Sequence, residues 1–286
     1  MKCVAPRRLP NKAAVNPPFD SYILCACGKC YACLANRRRS WLFRLQNEHL
    51  NSSILTVFCS FTYDDCYRPY DHLVHKEHLQ AFFKRLRETC KFSYYAIGEY
   101  GTNTKREHYH AVIFFKSIPS DYVKEDVYEL IDKLWFFGFT SVSRATYRRL
   151  NYILHYHTRP KEVDGRKTFQ LFSKGLGVSF INADLVRYLL DTNCRLIHDY
   201  NGSTYVIPRY YFKKLKDMIV STPAGLSQIQ SLSFETDFHR EDEVCMKVFG
   251  RHIWQISQQR YADYFFDRIA SDNRKLNKYH NQDKML

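Results

Sequence analysis

Two apolar segments, FSYYAIGEYG at residues 92–101 and HYHAVIFFK at 108–116, read as strands and are joined through a short glycine turn. So short a connection permits only an antiparallel pair, because a parallel one needs a crossover of about a dozen residues. The rest of the chain has to fit around this hairpin. Upstream, SSILTVFCSFTYDD is a strand rich in β-branched and aromatic residues, ended by Asp64-Asp65, and HKEHLQAFFKRLRETC is an amphipathic helix with a basic face. Downstream, KEDVYELIDKLWFFG reads as a helix stopped by Gly138 and FTSVSRA as a short strand. TYRRLNYILHYHTR then reads as a helix capped near Thr146 and finished by Pro160. The order strand, helix, strand, strand, helix, strand, helix predicts an α+β domain over residues 51–160, an antiparallel sheet with flanking helices. Before it, residues 1–50 form a basic, Cys-rich arm followed by a helix, with Leu34, Trp41, Leu42 and Leu45 at helical spacing. After it, residues 161–286 are basic and aromatic, and 230–286 read as largely helical and polar.

The charge points to a partner. The 286 residues carry a net charge of +14, together with 22 Tyr and 21 Phe. A basic, aromatic surface tracks phosphates and stacks on unpaired bases, which suits single-stranded nucleic acid. The plainer reading is that the tyrosines are core and the charge serves solubility. No window approaches the ~18 apolar residues of a membrane span. The opening MKCVAPRRLPNKAAVNPPFD lacks the apolar core of a secretory signal. An intracellular setting with reduced thiols is therefore expected for the ten cysteines, with metal ligation open to them.

The triplet His-Tyr-His occurs twice, at 108–110 and 155–157. In a strand, residues i and i+2 share a face, so His108 and His110 present two imidazoles side by side with Tyr109 behind. In a helix, i and i+2 diverge by about 200°, so His155 and His157 cannot chelate one ion. Glu99, just before the hairpin turn, can lie across from the strand pair. Two histidines and a carboxylate suit Mg²⁺, Mn²⁺ or Zn²⁺. The alternative is two strand histidines on a solvated face.

The second triplet belongs to a different pattern, Tyr152 and Tyr156, which share a face if the helix runs through both. A phenol, with a pKa near 10, attacks at neutral pH only when activated or when its target is strongly polarised. A metal on a phosphate oxygen supplies that polarisation. Arg148, Arg149, His155 and Arg159 stand nearby in sequence to offset charge. The same tyrosines also fit a buried aromatic stripe.

In order, these features resemble the HUH endonuclease family, and more closely the rolling-circle replication initiators of Microviridae, the gokushovirus-like phages. FCSFTYDD matches the first family motif, GEYGTNTKREHYHAVIFF the second and YILHY the third, of paired-tyrosine type. CGKCYACLANRRRSWLFRLQNE and FSKGLG resemble flanking segments. The resemblance implies an HUH, ferredoxin-like core with Tyr152 and Tyr156 as nucleophiles. It implies Glu99, His108 and His110 as ligands of Mg²⁺ or Mn²⁺. The expected activity is nicking of single-stranded viral origin DNA through a 5′-phosphotyrosine link, with rejoining to a circle. The implied setting is the host bacterial cytoplasm, beside a host helicase and polymerase. The family commonly has lysines where this chain has His155 and Arg159, so these two are the expected supporting charges.

Arg37, Arg38, Arg39, Lys84, Arg85 and Arg87 are the expected phosphate contacts. Cys27, Cys30 and Cys33 have knuckle spacing for a structural zinc that Cys3, Cys59 or Cys66 could complete. The alternative is small thiols packed at a helix start. Two other function classes compete with the enzyme: a non-catalytic single-strand nucleic-acid binder and a zinc-stabilised structural protein of a virion.

Overall fold

The computed structural model describes residues 3, 7–10, 22–101, 104–157, 162–163, 165–192, 196–198 and 204–219. They divide into two compact units, Arg37–Asn182 and a second drawn from Met1–Asn36 with Ala183–Leu286. In chain order the first elements are β1 (Arg7–Pro10), β2 (Tyr22–Cys25), α1 (Tyr31–Asn51), β3 (Leu55–Thr62), α2 (Lys76–Thr89), β4 (Lys91–Tyr100) and β5 (Glu107–Ser117). Then come α3 (Lys124–Leu134), β6 (Thr140–Arg144), α4 (Tyr147–Ile153), β7 (Glu162–Val163), β8 (Arg166–Lys167) and β9 (Phe169–Phe172). The last described elements are α5 (Ala183–Thr192), β10 (Leu196–His198), β11 (Thr204–Val206) and α6 (Arg209–Ile219). The helical reading of 230–286 falls outside the described residues.

In the Arg37–Asn182 unit five strands form an antiparallel sheet in the order β6-β3-β5-β4-β9, so the expected α+β class is what the chain adopts. The long central strand β5 pairs with β3 on one side and β4 on the other. Leu79, Phe82, Phe83 and Leu86 recur at helical spacing on α2 and are all fully buried. With Val127 and Ile131 of α3 and with Trp135 they cover Val57, Cys59, Phe61, Ala111, Ile113 and Phe115. Burial of each such side chain contributes roughly 1.5–3 kcal/mol. The opposite face carries Phe58, Tyr95, Ile97, Val112 and Phe114. It is covered by Leu42 and Leu45 of α1 and by Leu150 and Ile153 of α4. The period of two thus sends alternate residues of β5 into two separate cores.

Two boundaries differ from expectation. Helix α3 ends at Leu134, with Trp135 as its C-cap, rather than running to Gly138. Gly138 serves a tight crossing instead. Its φ is +153°, and a Cβ there would lie 2.2 Å from the Asp64 nitrogen. The chain crosses here to join β3: Thr62 N donates to the Phe139 carbonyl (2.9 Å) and Asp64 N to that of Phe137 (2.9 Å). A second glycine, Gly98, lies under the Phe169 ring, where a Cβ would meet Cε1 at 2.5 Å, so β9 closes on β4 only because residue 98 has no side chain.

Helix α1 is tied to the sheet through the buried Glu48. Its carboxylate accepts from Ser93 Oγ (2.5 Å) and the Gly177 amide (2.7 Å), and pairs with Lys116 Nζ (2.9 Å). Burial alone would raise its pKa, but the Ser93, Gly177 and Lys116 donors outweigh burial and hold it below the ordinary range. A depressed carboxylate stabilises the fold above its unfolded pKa, and that contribution is lost as pH falls through the folded value. Glu48→Ala should therefore cost roughly 2–4 kcal/mol at neutral pH in chemical denaturation. The loss should shrink as pH is lowered below about 4, where the wild-type carboxylate protonates as well. A cost independent of pH would assign the effect to packing.

Candidate metal centre and its neighbouring tyrosine

The register of the β4–β5 hairpin sets Glu99 directly across from His108, and Ile97 across from His110. On β5's other side Thr62 faces His108 and Ser60 faces His110. His108 and His110 share a sheet face, as the strand period requires. Tyr109 points into the opposite core, where its hydroxyl accepts from the His75 amide (2.8 Å) and hydrogen-bonds with Tyr63. Burial pushes the Tyr109 phenol up to about 12, so this tyrosine anchors the strand and stays protonated. Glu107, fully buried on that same back face, is held by a two-pronged pairing with Arg68 at 2.8 and 3.2 Å.

On the front face one carboxylate oxygen meets both imidazoles. Glu99 Oε1 lies 3.0 Å from His108 Nε2 and 3.1 Å from His110 Nε2. Glu99 is 5% exposed and His110 8%, so water competes little for these atoms. The outer nitrogens are also held: His108 Nδ1 is 3.1 Å from the Arg106 carbonyl and His110 Nδ1 is 2.8 Å from Ser60 Oγ. A carbonyl only accepts, so His108 carries a proton on Nδ1 and directs Nε2 toward Glu99. Two ring nitrogens and a carboxylate oxygen within 4.8 Å of one another form a donor set that fits a divalent ion. The ring of His110 is stacked against Phe58 at 5.5 Å, which fixes its plane.

Beside this triad stands Tyr152. Thr146 caps α4 by accepting from the Arg149 amide (3.4 Å), while Leu150 and Ile153 bury against the sheet. Tyr152 therefore lies on the helix's open side, 43% exposed. Its ring centre is 5.7 Å from His110 and 6.1 Å from Phe58, nearly perpendicular to the imidazole. The expected helix over 146–159 is not continuous. The α-helix stops at Ile153 and a 3₁₀ turn spans Leu154–His157. Each residue of such a turn advances about 120° rather than 100°, so a shared face for positions 152 and 156 no longer follows from helical period. Tyr156 has its backbone in that turn; its side chain, that of His157 and all of Arg159 lie outside the described residues.

Arg38 on α1 reaches this turn. Its Nη2 donates to Asn151 Oδ1 and sits beside His155 Nε2, both at 2.9 Å. A guanidinium has no acceptor, so Nε2 of His155 accepts and the ring is neutral in this arrangement. The charge at this place is Arg38's, and His155 is one of its anchors. Arg37 and Arg39 flank it, exposed, on α1, and Arg149 lies over the Phe58 ring at 5.5 Å. The other expected phosphate contacts sit elsewhere. Lys84, Arg85 and Arg87 belong to α2, across the sheet from the triad. Arg85 donates to the Leu134 carbonyl (2.9 Å) and covers Phe136, while Arg87 lies over Phe92 and Tyr94. Ser60, Phe58 and Asn151 are site residues that sequence reasoning missed. Only the β3–β5 register could have pointed to the first two.

A family model for the replication-associated protein ORF2 matches residues 56–161. That stretch runs from β3 past α4 and contains the whole triad and both tyrosines. The chain is similar to replication-associated proteins of phages. Replication-associated protein ORF2 of Spiroplasma virus 4 is 25% identical, over 88% of this chain and 82% of that protein. Replication-associated protein ORF4 of Chlamydia phage 1 is 27% identical, over 74% of this chain and 56% of that one. Replication-associated protein VP4 of Bdellovibrio phage phiMH2K is 29% identical, over 65% of each. No solved structure matches. Among the described residues, no helix is long and apolar enough to cross a membrane.

Two outcomes check this geometry. In Mn²⁺ titrations followed by electron paramagnetic resonance, His108→Ala and His110→Ala should each weaken binding by more than about tenfold. Ser60→Ala should weaken it by roughly tenfold through the freed Nδ1, and His155→Ala should leave it unchanged. For the Arg38 clamp, Arg38→Ala should raise amide hydrogen exchange across residues 150–157 and lower stability by about 2 kcal/mol. Arg38→Lys should restore little of this, since an ammonium lacks the guanidinium's planar fork.

Proposed function

We propose that this chain is an HUH-type rolling-circle initiator that cuts single-stranded origin DNA with a tyrosine. The observation that carries the reading is the exposed Tyr152 ring packed against His110 of the Glu99, His108, His110 triad. The similarity to phage replication-associated proteins supports a replication role. Glu99, His108 and His110 would hold Mg²⁺ or Mn²⁺. Such an ion, when bound, polarises a phosphate oxygen and offsets the charge that builds there. The phenol oxygen of Tyr152 attacks the scissile phosphorus and gives up its proton to water. The bond from phosphorus to the 3′ oxygen breaks, and that oxygen takes up a proton as a free 3′ hydroxyl. The 5′ phosphate stays on the tyrosine, one ester exchanged for another, so no nucleotide energy source is needed and the step reverses. Arg38 keeps the helix end seated, and Arg149 adds positive charge beside Phe58. Arg159 and Tyr156 complete the reading: Tyr156 cuts the regenerated origin, and the released 3′ hydroxyl attacks the first phosphotyrosine to close a circle. Host polymerase would extend the free 3′ end and a host helicase would open the duplex, which sets the activity in the bacterial cytoplasm.

Incubation of the full chain with a single-stranded origin oligonucleotide and Mn²⁺, followed by a denaturing gel and mass spectrometry, tests this. Wild type should yield a covalent adduct on Tyr152 or Tyr156 that chelator abolishes. Each single Tyr→Phe variant should keep some nicking and lose circle closure, and the double variant should bind DNA without forming any adduct. An adduct on another residue, or cutting with no adduct, would falsify the mechanism. Binding without cutting under any metal would leave a single-strand binding protein.

A further inference from the structure

Away from the sheet, four cysteines converge within the unit that contains Met1–Asn36. Cys3, Cys27, Cys30 and Cys33 place their sulfurs within 4.8 Å of one another. Two pairs are closer still, Cys27 to Cys33 at 3.9 Å and Cys30 to Cys3 at 3.8 Å. A disulfide needs about 2.05 Å, and among the described residues no cysteine forms one. The edge of a tetrahedron of sulfurs about 2.3 Å from a central zinc is about 3.8 Å.

The local chain is shaped to hold negative sulfurs. Gly28, at φ +74°, turns the backbone so that the amides of Lys29 and Cys30 both point at Cys27 Sγ, at 3.4 and 3.3 Å. The Cys27 amide donates to Cys3 Sγ at 3.2 Å, and the Gly28 amide serves Cys33. Four consecutive amides, those of Cys27 to Cys30, thus donate to three sulfurs, an arrangement suited to thiolates. The amides of Cys30 and Lys29 lower Cys27 to about 6. Cys30 and Cys33 are three apart where α1 begins, a spacing that brings side chains together, and the helix's positive end faces the cluster.

We propose that Cys3, Cys27, Cys30 and Cys33 bind a structural zinc ion that clamps the open end of the β1–β2 ribbon. The ribbon pairs Arg7 with Cys25 at one end and Pro10 with Tyr22 at the other, four residues to a strand. A two-stranded ribbon this short is marginal in water by itself. Cys3 precedes its first strand and Cys27 follows its second, so the ion closes the ring between positions 24 residues apart. Zinc is favoured over ferrous iron by its greater affinity for such ligands. The other two thiols considered as a fourth ligand do not converge: Cys59 is fully buried in the sheet core and Cys66 is exposed beside Asp64.

The test uses the full chain, expressed with zinc supplied and purified under reducing conditions. Mass spectrometric metal analysis should find about one tightly held zinc per chain, released by a mercurial thiol reagent and retained in the His108→Ala, His110→Ala variant. Wild type reconstituted with Co²⁺ in place of zinc should show sulfur-to-cobalt charge-transfer absorption and the intense visible bands of a tetrahedral tetrathiolate. Cys3→Ser, Cys27→Ser, Cys30→Ser and Cys33→Ser should each lower zinc retention at least tenfold and raise hydrogen exchange in 7–10 and 22–25. Cys25→Ser and Cys66→Ser should do neither. Wild type with less than about 0.1 zinc per chain and no cobalt–sulfur absorption overturns the proposal without relying on any variant to fold. So does zinc that stays in the four Ser variants and leaves with the histidines, or iron in its place. Loss of DNA cutting with zinc still bound would count against the proposed nickase and leave this site standing.

Discussion

The pairing of Glu99 with His108 across the β4–β5 hairpin is the constraint on which the rest of the site depends. Side chains alternate between faces along a strand, so a slip of one residue would exchange every inward position for an outward one. Tyr109 would then replace His108 and His110 on the front face, and Glu107 would leave Arg68. Both faces resist that slip. Behind the sheet, Tyr109 and Glu107 are locked by the His75 amide and by Arg68. In front, Val112 and Phe114 sit in the core beneath α1 and α4. The two imidazoles point where they do because residues that take no part in the chemistry hold the strand.

Helix α1 gathers several such constraints into one element. Cys33 lies in its first turn, Arg38 reaches the end of α4 from its middle, and Glu48 ties its last turns to β4 and the Gly177 amide. The buried Arg44 adds a bond to the Leu176 carbonyl and lies over the Trp41 ring. One helix therefore collects contacts to most of the pieces that frame the tyrosine. Its polar residues are mostly committed to other protein groups, which explains why it is strongly basic in sequence yet presents fewer idle charges in the fold.

Much of this was legible in the sequence because its signals were periodic. The alternation in HYHAVIFFK placed the histidines together and Tyr109 behind them, and the hairpin brought Glu99 across. The i, i+3, i+4 spacing of Leu79, Phe82, Phe83 and Leu86 defined α2 and its buried stripe. What periodicity cannot show is which sheet face a helix covers. Lys84, Arg85 and Arg87 therefore read as neighbours of Arg37 to Arg39, yet they lie across the sheet from the triad. Arg85 and Arg87 are engaged with Leu134, Phe136, Phe92 and Tyr94. Partners distant in sequence were equally hidden. Nothing in the spacing tied Arg38 to Asn151 113 residues away, or chose Cys3 over Cys59 and Cys66. The end of α4 escaped because Leu154, which the helical pattern would have continued, buries instead in a tighter turn.

The contact of Gly98 with the Phe169 ring also bears on how copies of this chain keep apart. The sheet has two edges, and an open edge recruits strands from other molecules. One is β6, only five residues long and ending in the exposed Arg144. The other would be β4, ten residues long and nearly all buried, were β9 not laid along Tyr95 to Gly98. A four-residue strand seated over a missing side chain thus stands between β4's backbone groups and intermolecular sheet growth. A bulky residue at 98 would prise off that cover and turn a local misfit into self-association, so selection on solubility, and not only on the adjacent Glu99, bears on this glycine.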